Sequence, residues 1–232
     1  MTKKKFIYLA GVFLLGCILM CSAILLKNYR PKIEWNGEPY NIENVNSLDA
    51  KFMNPYNKTL DDIATALIVI SIASSSGFFL LYTILKTQNK GEGIKKAIFD
   101  SIIFLECYLY STNIYNLLKN FVGRIRPYMY FLNPSEKGVA KGDFFLSWPS
   151  GHSASVFVVF GFMINWFCSR YPDSKFKKPL LCFYFVLGIS TMILRMLSGN
   201  HFLTDVLSGA LLGCLAATFV FKINNKIWQM KE

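Results

Sequence analysis

Trp148-Pro149-Ser150-Gly151-His152-Ser153-Ala154-Ser155-Val156-Phe157-Val158-Val159-Phe160-Gly161-Phe162 joins a turn signature to an apolar run, and its reading decides the fold. Ser150 is a natural helix N-cap and Gly151 permits close backbone approach. The run they open continues from Ser153 to Phe167. Five others accompany it: Phe6 to Leu26, Ile63 to Leu85, Ala97 to Leu118, Pro179 to Leu194, and Val206 to Phe221. A helix crosses a bilayer with roughly 17–25 predominantly apolar residues. The first three runs in chain order reach that length, and flanking residues can extend the shorter three into the interface. Hydrophobic residues make up 53% of the 232, charged residues only 17%, and phenylalanine alone occurs 21 times, values that suit a chain solvated largely by lipid.

The expected fold is therefore all-α: a polytopic membrane protein with a six-transmembrane-helix bundle and a single integral-membrane domain over residues 1–232. Helices are expected near 6–26, 63–85, 97–118, 153–167, 179–194 and 206–221, with external loops at 27–62 and 119–152. Lys3, Lys4 and Lys5 before an apolar stretch also resemble a secretory signal peptide, and Leu14-Leu15-Gly16-Cys17 a lipoprotein cleavage site. The run continues past Cys17 to Leu26, the span an uncleaved anchor needs. The six cysteines lie within or at the ends of apolar runs, without metal-ligand spacing, and read as packing residues. The net charge of +11 divides so that short segments on the N-terminal side hold the larger share of basic residues. By the positive-inside bias both termini are cytoplasmic.

Only two histidines occur, and each lies in a polar cluster. His152 closes Pro149-Ser150-Gly151-His152. His201 follows Arg195 by six residues and precedes Asp205 by four. Lys119 and Arg126-Pro127 form a third cluster upstream. Alternation of spanning helices puts all three on one side of the membrane. Lys119 and Arg126, seven apart, share a face if one helix carries both, before Pro127 discourages continuation. Lys119 offers a point charge and Arg126 a planar fork for phosphate oxygens. A helix start at Ser150-Gly151 presents free N–H groups to an anion, and His152 there can donate a proton to a leaving oxygen. His201 and Asp205, at i and i+4 on a helix, can hydrogen-bond, fixing one imidazole nitrogen and freeing the other to attack. Ser198-Gly199-Asn200 is turn-like and returns Arg195 toward the site. Each cluster also has a plainer explanation: basic residues meeting lipid headgroups, helix-start punctuation, or a structural His–Asp pair. Ionisable groups at membrane depth are costly, which favours function for the whole set.

With these three ordered motifs the chain resembles the type 2 phosphatidic acid phosphatases, related to glucose-6-phosphatase and the vanadium haloperoxidases. The match is carried by Lys119-x6-Arg126-Pro127, Pro149-Ser150-Gly151-His152 and Arg195-x5-His201-x3-Asp205. One departure is Leu194, where the family commonly has serine, which withdraws an auxiliary phosphate hydrogen bond. The resemblance implies that His201 attacks phosphorus to give a phosphohistidine, with Asp205 orienting it and His152 protonating the departing oxygen. It further implies that Lys119, Arg126, Arg195 and the Ser150-Gly151 turn hold the phosphoryl oxygens. No metal or other cofactor is implied, and Asp143 and Glu136 read as solvated surface charges. The expected partners are membrane lipids and a lipid phosphate substrate, among polyprenyl diphosphate, phosphatidylglycerol phosphate, phosphatidate and lipid A; nucleic acid is not among them. The alternatives are a lipid phosphotransferase of the same fold and a non-catalytic phospholipid-binding or transport protein. A soluble haloperoxidase fits poorly with six apolar runs. Tyr128 to Leu132, rich in aromatics, reads either as a cover over a lipid headgroup or as interfacial anchoring.

Overall fold

A computed structural model describes residues 3–29 and 35–229, and the described residues are helical with no strand. Six long helices dominate: α1 (Lys3–Tyr29), α3 (Lys58–Lys86), α4 (Lys90–Val122), α6 (Gly151–Arg170), α7 (Lys177–Leu197) and α8 (Leu203–Gln229). Two short ones, α2 (Ser47–Ala50) and α5 (Glu136–Ala140), lie in the connections. Each long helix is longer at both ends than the apolar run that announced it, because capping residues carry it into polar sequence. Asn57 caps α3, accepting from the Leu60 N–H, and Asn89 caps α4, accepting from Gly91 and Glu92.

Four helices, α3, α6, α7 and α8, are long and apolar enough to cross a membrane. These are the lengths and compositions of an integral membrane protein. α1 and α4 fall outside that group: in α1 the apolar stretch among described residues is Leu14–Leu26, and α4 carries Asp100 and Glu106. Asp100 and Glu106 are both matched inside the bundle. Asp100 accepts from Trp166 Nε1 at 2.9 Å and from Arg170 at 3.1 Å, and Glu106 accepts from Asn224 at 2.7 Å. Composition alone hides a helix whose charges are paired within the protein.

α6 is the central helix. It packs most extensively on α8 and also touches α3, α4 and α7. At Gly213 of α8 the backbone of Ala154 and Val158 lies so close that a β-carbon would collide. The main core joins Phe79, Phe104, Phe162, Trp166, Phe167 and Phe221. α1 is held to α4 by Tyr110 Oη, which donates to the Val12 carbonyl at 2.5 Å, and by Asn113 Nδ2, which donates to Gly16 at 3.0 Å. The C-terminal ends of α4 and α7 and the N-terminal ends of α6 and α8 gather at one end of this bundle, where the polar clusters meet.

A second small core caps that end. Tyr128, Met129, Phe144 and Phe145 are buried together, and the Tyr128 N–H donates to the Gly199 carbonyl at 2.9 Å. Tyr128 and Met129 are therefore packing residues, and of the aromatic stretch the outermost residue, Leu132, is the exposed one. Their neighbours, Phe144 and Phe145, lie well ahead in sequence, beyond any local pattern.

Candidate active site

A cavity of about 520 Å³ opens among these helix ends, lined by Lys119, Arg126, Gly151, His152, Arg195 and His201 together with Asp143. Residues from four separate stretches of sequence thus share one space. Met20, Ala23 and Ile24 of α1 and Ile68 of α3 supply an apolar wall beside them.

Three basic residues reach the cavity from different supports. Lys119 is in the last turn of α4 and donates to the Leu146 carbonyl at 2.7 Å. α4 ends at Gly123, whose φ of +65° suits a residue without a β-carbon. Arg126 lies beyond that end in extended conformation, donating to the Asp143 carbonyl at 2.9 Å and to Asn200 Oδ1 at 2.8 Å. The expected shared helix face for Lys119 and Arg126 is therefore absent; Gly123 stops the helix before Pro127 does. Arg195, 2% exposed, closes α7 and is ion-paired with Asp61. The turn after it is built on Gly199, with φ of +69°.

His201 sits in that connection, 1% exposed, and both its ring nitrogens lack a hydrogen-bond partner. Asp205 stands in the first turn of α8, with a carboxylate oxygen 3.6 Å from His201 Nδ1. That is beyond hydrogen-bond reach, and the two residues are not on one helix. The reason lies in Asp205's other obligations: its carboxylate accepts from the Phe202 N–H at 2.9 Å, Ser147 Oγ at 2.5 Å and Arg124 at 2.5 Å. Burial first, then the positive field of Arg195, Lys119 and Arg126, pushes the His201 imidazole well below its ordinary value. That direction favours the neutral ring, whose unprotonated nitrogen keeps a lone pair.

His152 opens α6 and faces the cavity, with Nε2 3.1 Å from Thr65 Oγ1 of α3. Gly151 lines the wall against Tyr115. Ser150 stands behind it. The Ser150 hydroxyl caps α6 at Ser153, and its N–H donates to the Asp205 carbonyl at 2.9 Å, so it joins the two helix starts. Asp143 is partly buried in the cavity wall rather than a solvated charge, because the turn at Gly142 folds it inward; Glu136 is exposed, as expected.

Residues 100–229 match the family model of the PAP2 superfamily. The chain belongs to the PAP2 superfamily. It is 27% identical to diacylglycerol pyrophosphate phosphatase 1 of Saccharomyces cerevisiae, over 54% of this chain and 52% of that protein. It is 29% identical to phosphatidylglycerophosphatase B of Bacillus subtilis, over 57% of this chain and 62% of that protein. The chain thus spans between 52% and 62% of the length of these curated relatives. A crystal structure of a transmembrane PAP2-type phosphatidylglycerolphosphate phosphatase from Bacillus subtilis has a TM-score of 0.54 at 20% identity, covering 96% of this chain and 98% of that one. The likeness to it is one of fold.

This PAP2 superfamily member also draws on residues before the matched region that the sequence did not single out. Asp61 pairs with Arg195, and its backbone carbonyl accepts from Thr65, the neighbour of His152. Asp49 of α2 is 0% exposed and accepts from Arg124 at 2.6 Å, from Thr204 Oγ1 at 2.7 Å and from the Thr204 N–H at 3.0 Å. Burial pushes the Asp49 carboxyl up, but the hydrogen bonds from Arg124 and Thr204 outweigh it and hold it below the usual carboxylate range. Arg124 joins Asp49 to Asp205 and lies over the Phe202 ring at 4.0 Å. A signal existed for Asp61 in the Asp61-Asp62 pair opening an apolar run; Asp49 had none.

Proposed function

We propose that this protein is an integral-membrane phosphatase that hydrolyses a lipid phosphomonoester or diphosphate through a phosphohistidine at His201, without a metal ion. One observation carries the reading: a buried, neutral imidazole with both nitrogens unpartnered beside a cavity walled by Lys119, Arg126 and Arg195. Three cations lining one cavity favour an anionic ligand, and His201 lines the same space with its ring nitrogens unpartnered.

In this mechanism the three cations and the first turn of α6 at Ser150-Gly151 hold the phosphoryl oxygens. His201 Nε2 attacks phosphorus while the bond to the leaving oxygen breaks, and His152, which takes up a proton once the anionic phosphate offsets the field of Arg195, Arg126 and Lys119, gives that proton to the leaving oxygen. Asp205, 3.6 Å from the other ring nitrogen, offsets the positive charge that the ring acquires. Neutral His152 then takes a proton from water, whose oxygen attacks phosphorus as the bond to His201 breaks and phosphate leaves.

The apolar wall of Met20, Ala23, Ile24 and Ile68 supports a lipid as the alcohol or diphosphate carrier. The relatives' activities, on diacylglycerol pyrophosphate and phosphatidylglycerophosphate, support the same class. On this reading α1 and α4 span beside the four apolar helices, an even number of crossings leaves both termini on one side, and the basic residues of the short connections favour the cytoplasm for that side and the external face for the cavity.

Phosphate release by purified protein tests this, in the presence of chelator, on polyprenyl diphosphate, phosphatidylglycerol phosphate, phosphatidate and lipid A. Release from at least one lipid, abolished in His201→Ala, is expected. Release that survives in the variant would exclude the mechanism. Absence of release from every lipid would favour transfer to an acceptor or non-catalytic binding.

A further inference from the structure

Asp205 touches Arg124 as closely as a carboxylate can touch a guanidinium, at 2.5 Å. A lone pair of that kind cancels its own charge and would leave Asp205 little to offer a developing imidazolium. The structure supplies a second acid. Asp49 holds the other Arg124 nitrogen at 2.6 Å, and Thr204 and Asn46 fix the Asp49 carboxylate by hydrogen bonds of 2.7 and 2.8 Å. Two carboxylates and one guanidinium leave one net negative charge, and the oxygen nearest His201 belongs to Asp205. Asp49 comes from the connection between α1 and α3, outside the family match, and is fully buried, a cost that its pairing with Arg124 offsets.

We propose that Asp49 is a positioning residue for the Asp205–His201 pair: by neutralising Arg124 it keeps the Asp205 charge available to the imidazole. The inference rests on His201 acting as nucleophile. Asp49 itself touches no substrate; it acts through Arg124.

The test is a charge cycle on the full-length protein in lipid nanodiscs, with Asp49→Asn, Arg124→Gln and the double variant. Asp49→Asn leaves the Arg124 charge uncompensated, and kcat falls about 10- to 100-fold with KM little changed, the range seen when an outer-shell partner of a metal-bound histidine is removed. The double variant removes both charges, returns Asp205 to a single negative charge, and recovers most of the lost kcat. A purely structural role for Asp49 gives the opposite order, with the double variant at least as poor as Asp49→Asn, and that result overturns the proposal, as does a wild-type kcat in Asp49→Asn.

Should Asp49→Asn fail to fold, comparison of the double variant with Arg124→Gln carries the same question. Removing Asp49 is then nearly neutral if it serves only Arg124, and a tenfold or greater loss refutes that. Binding of orthovanadate, a phosphoryl mimic, followed by thermal shift, is read beside turnover. Its affinity for His201 should weaken in Asp49→Asn and recover in the double variant. If the wild type turns over no lipid phosphate, the functional reading fails while the vanadate series still decides the role of Asp49: recovery in the double variant upholds it, and its absence overturns it.

Discussion

Burial of His201 among Lys119, Arg126 and Arg195 sets the sign of its pH response. Its folded value lies below the unfolded one of about 6.5, so below that pH the unfolded chain binds more protons. His201 therefore contributes full stability above pH 6.5, which is lost as pH falls, by about 1.4 kcal/mol per pH unit. Asp49, also lowered, gives way only below about pH 4. Thermal unfolding of wild type against His201→Asn between pH 7.5 and 5 should show this difference, and inorganic phosphate should reduce it by stabilising the protonated ring. A constant difference across that range would contradict the neutral, buried imidazole. His152→Ala tests the second histidine through its leaving group. The loss in kcat should be about 10²- to 10⁴-fold for a monoester and smaller for a diphosphate, whose leaving oxygen needs less protonation. Equal losses would count against a proton-donating role. Both histidines were legible because histidine is so rare here. Asp49 was not, because its partners Arg124 and Thr204 lie far along the chain and its own surroundings are an unpatterned polar loop.

Helix ends, rather than helix middles, explain how the elements serve the site. Gly123 ends α4 so that Lys119 stays on the helix while Arg126 leaves it, and Ser150 links the start of α6 to the start of α8 through the Asp205 carbonyl. The sequence pattern showed the apolar middles clearly. It left open where polarity permits a helix to continue, because caps such as Asn57 and Asn89 satisfy end groups inside polar sequence. The α6–α8 contact is the element-scale dependency of the site. Gly213→Leu forces α8 away from Ala154 of α6 and should cut activity at least tenfold by moving Asp205, with KM and kcat both affected. At the other end, Trp166 is fully buried and donates to Asp100. Trp166→Ala should cost about 3–5 kcal/mol of stability while leaving kcat near wild type in protein that remains folded. Unfolding midpoints and kinetics measured on the same preparations separate the two effects.

At the scale of the molecule, gathering Lys119, Arg126, Arg195 and both histidines at one end of the bundle fits the proposed action at one face of a membrane. The proposed orientation rests on basic residues in the connections, and cysteine labelling checks it. Asp173 in the exposed turn between α6 and α7 and Lys137 in α5 lie at opposite ends of the bundle. In intact cells an impermeant maleimide should label Lys137→Cys and spare Asp173→Cys until the membrane is opened; the reverse pattern would invert the topology. The all-helical fold and the convergence of three distant motifs were readable because alternation of spanning helices constrains which connections share a side. The acids that tune those motifs were not, since charge pairing across a bundle leaves no periodic trace. The central claim is a covalent bond from phosphorus to His201. It is tested most directly by mixing the protein with ³²P-labelled lipid phosphate, quenching in alkali during turnover, and mapping the label by mass spectrometry. The account predicts alkali-stable, acid-labile phosphate on His201, absent from His201→Ala. Turnover with no label on that residue, or with label elsewhere, would contradict it.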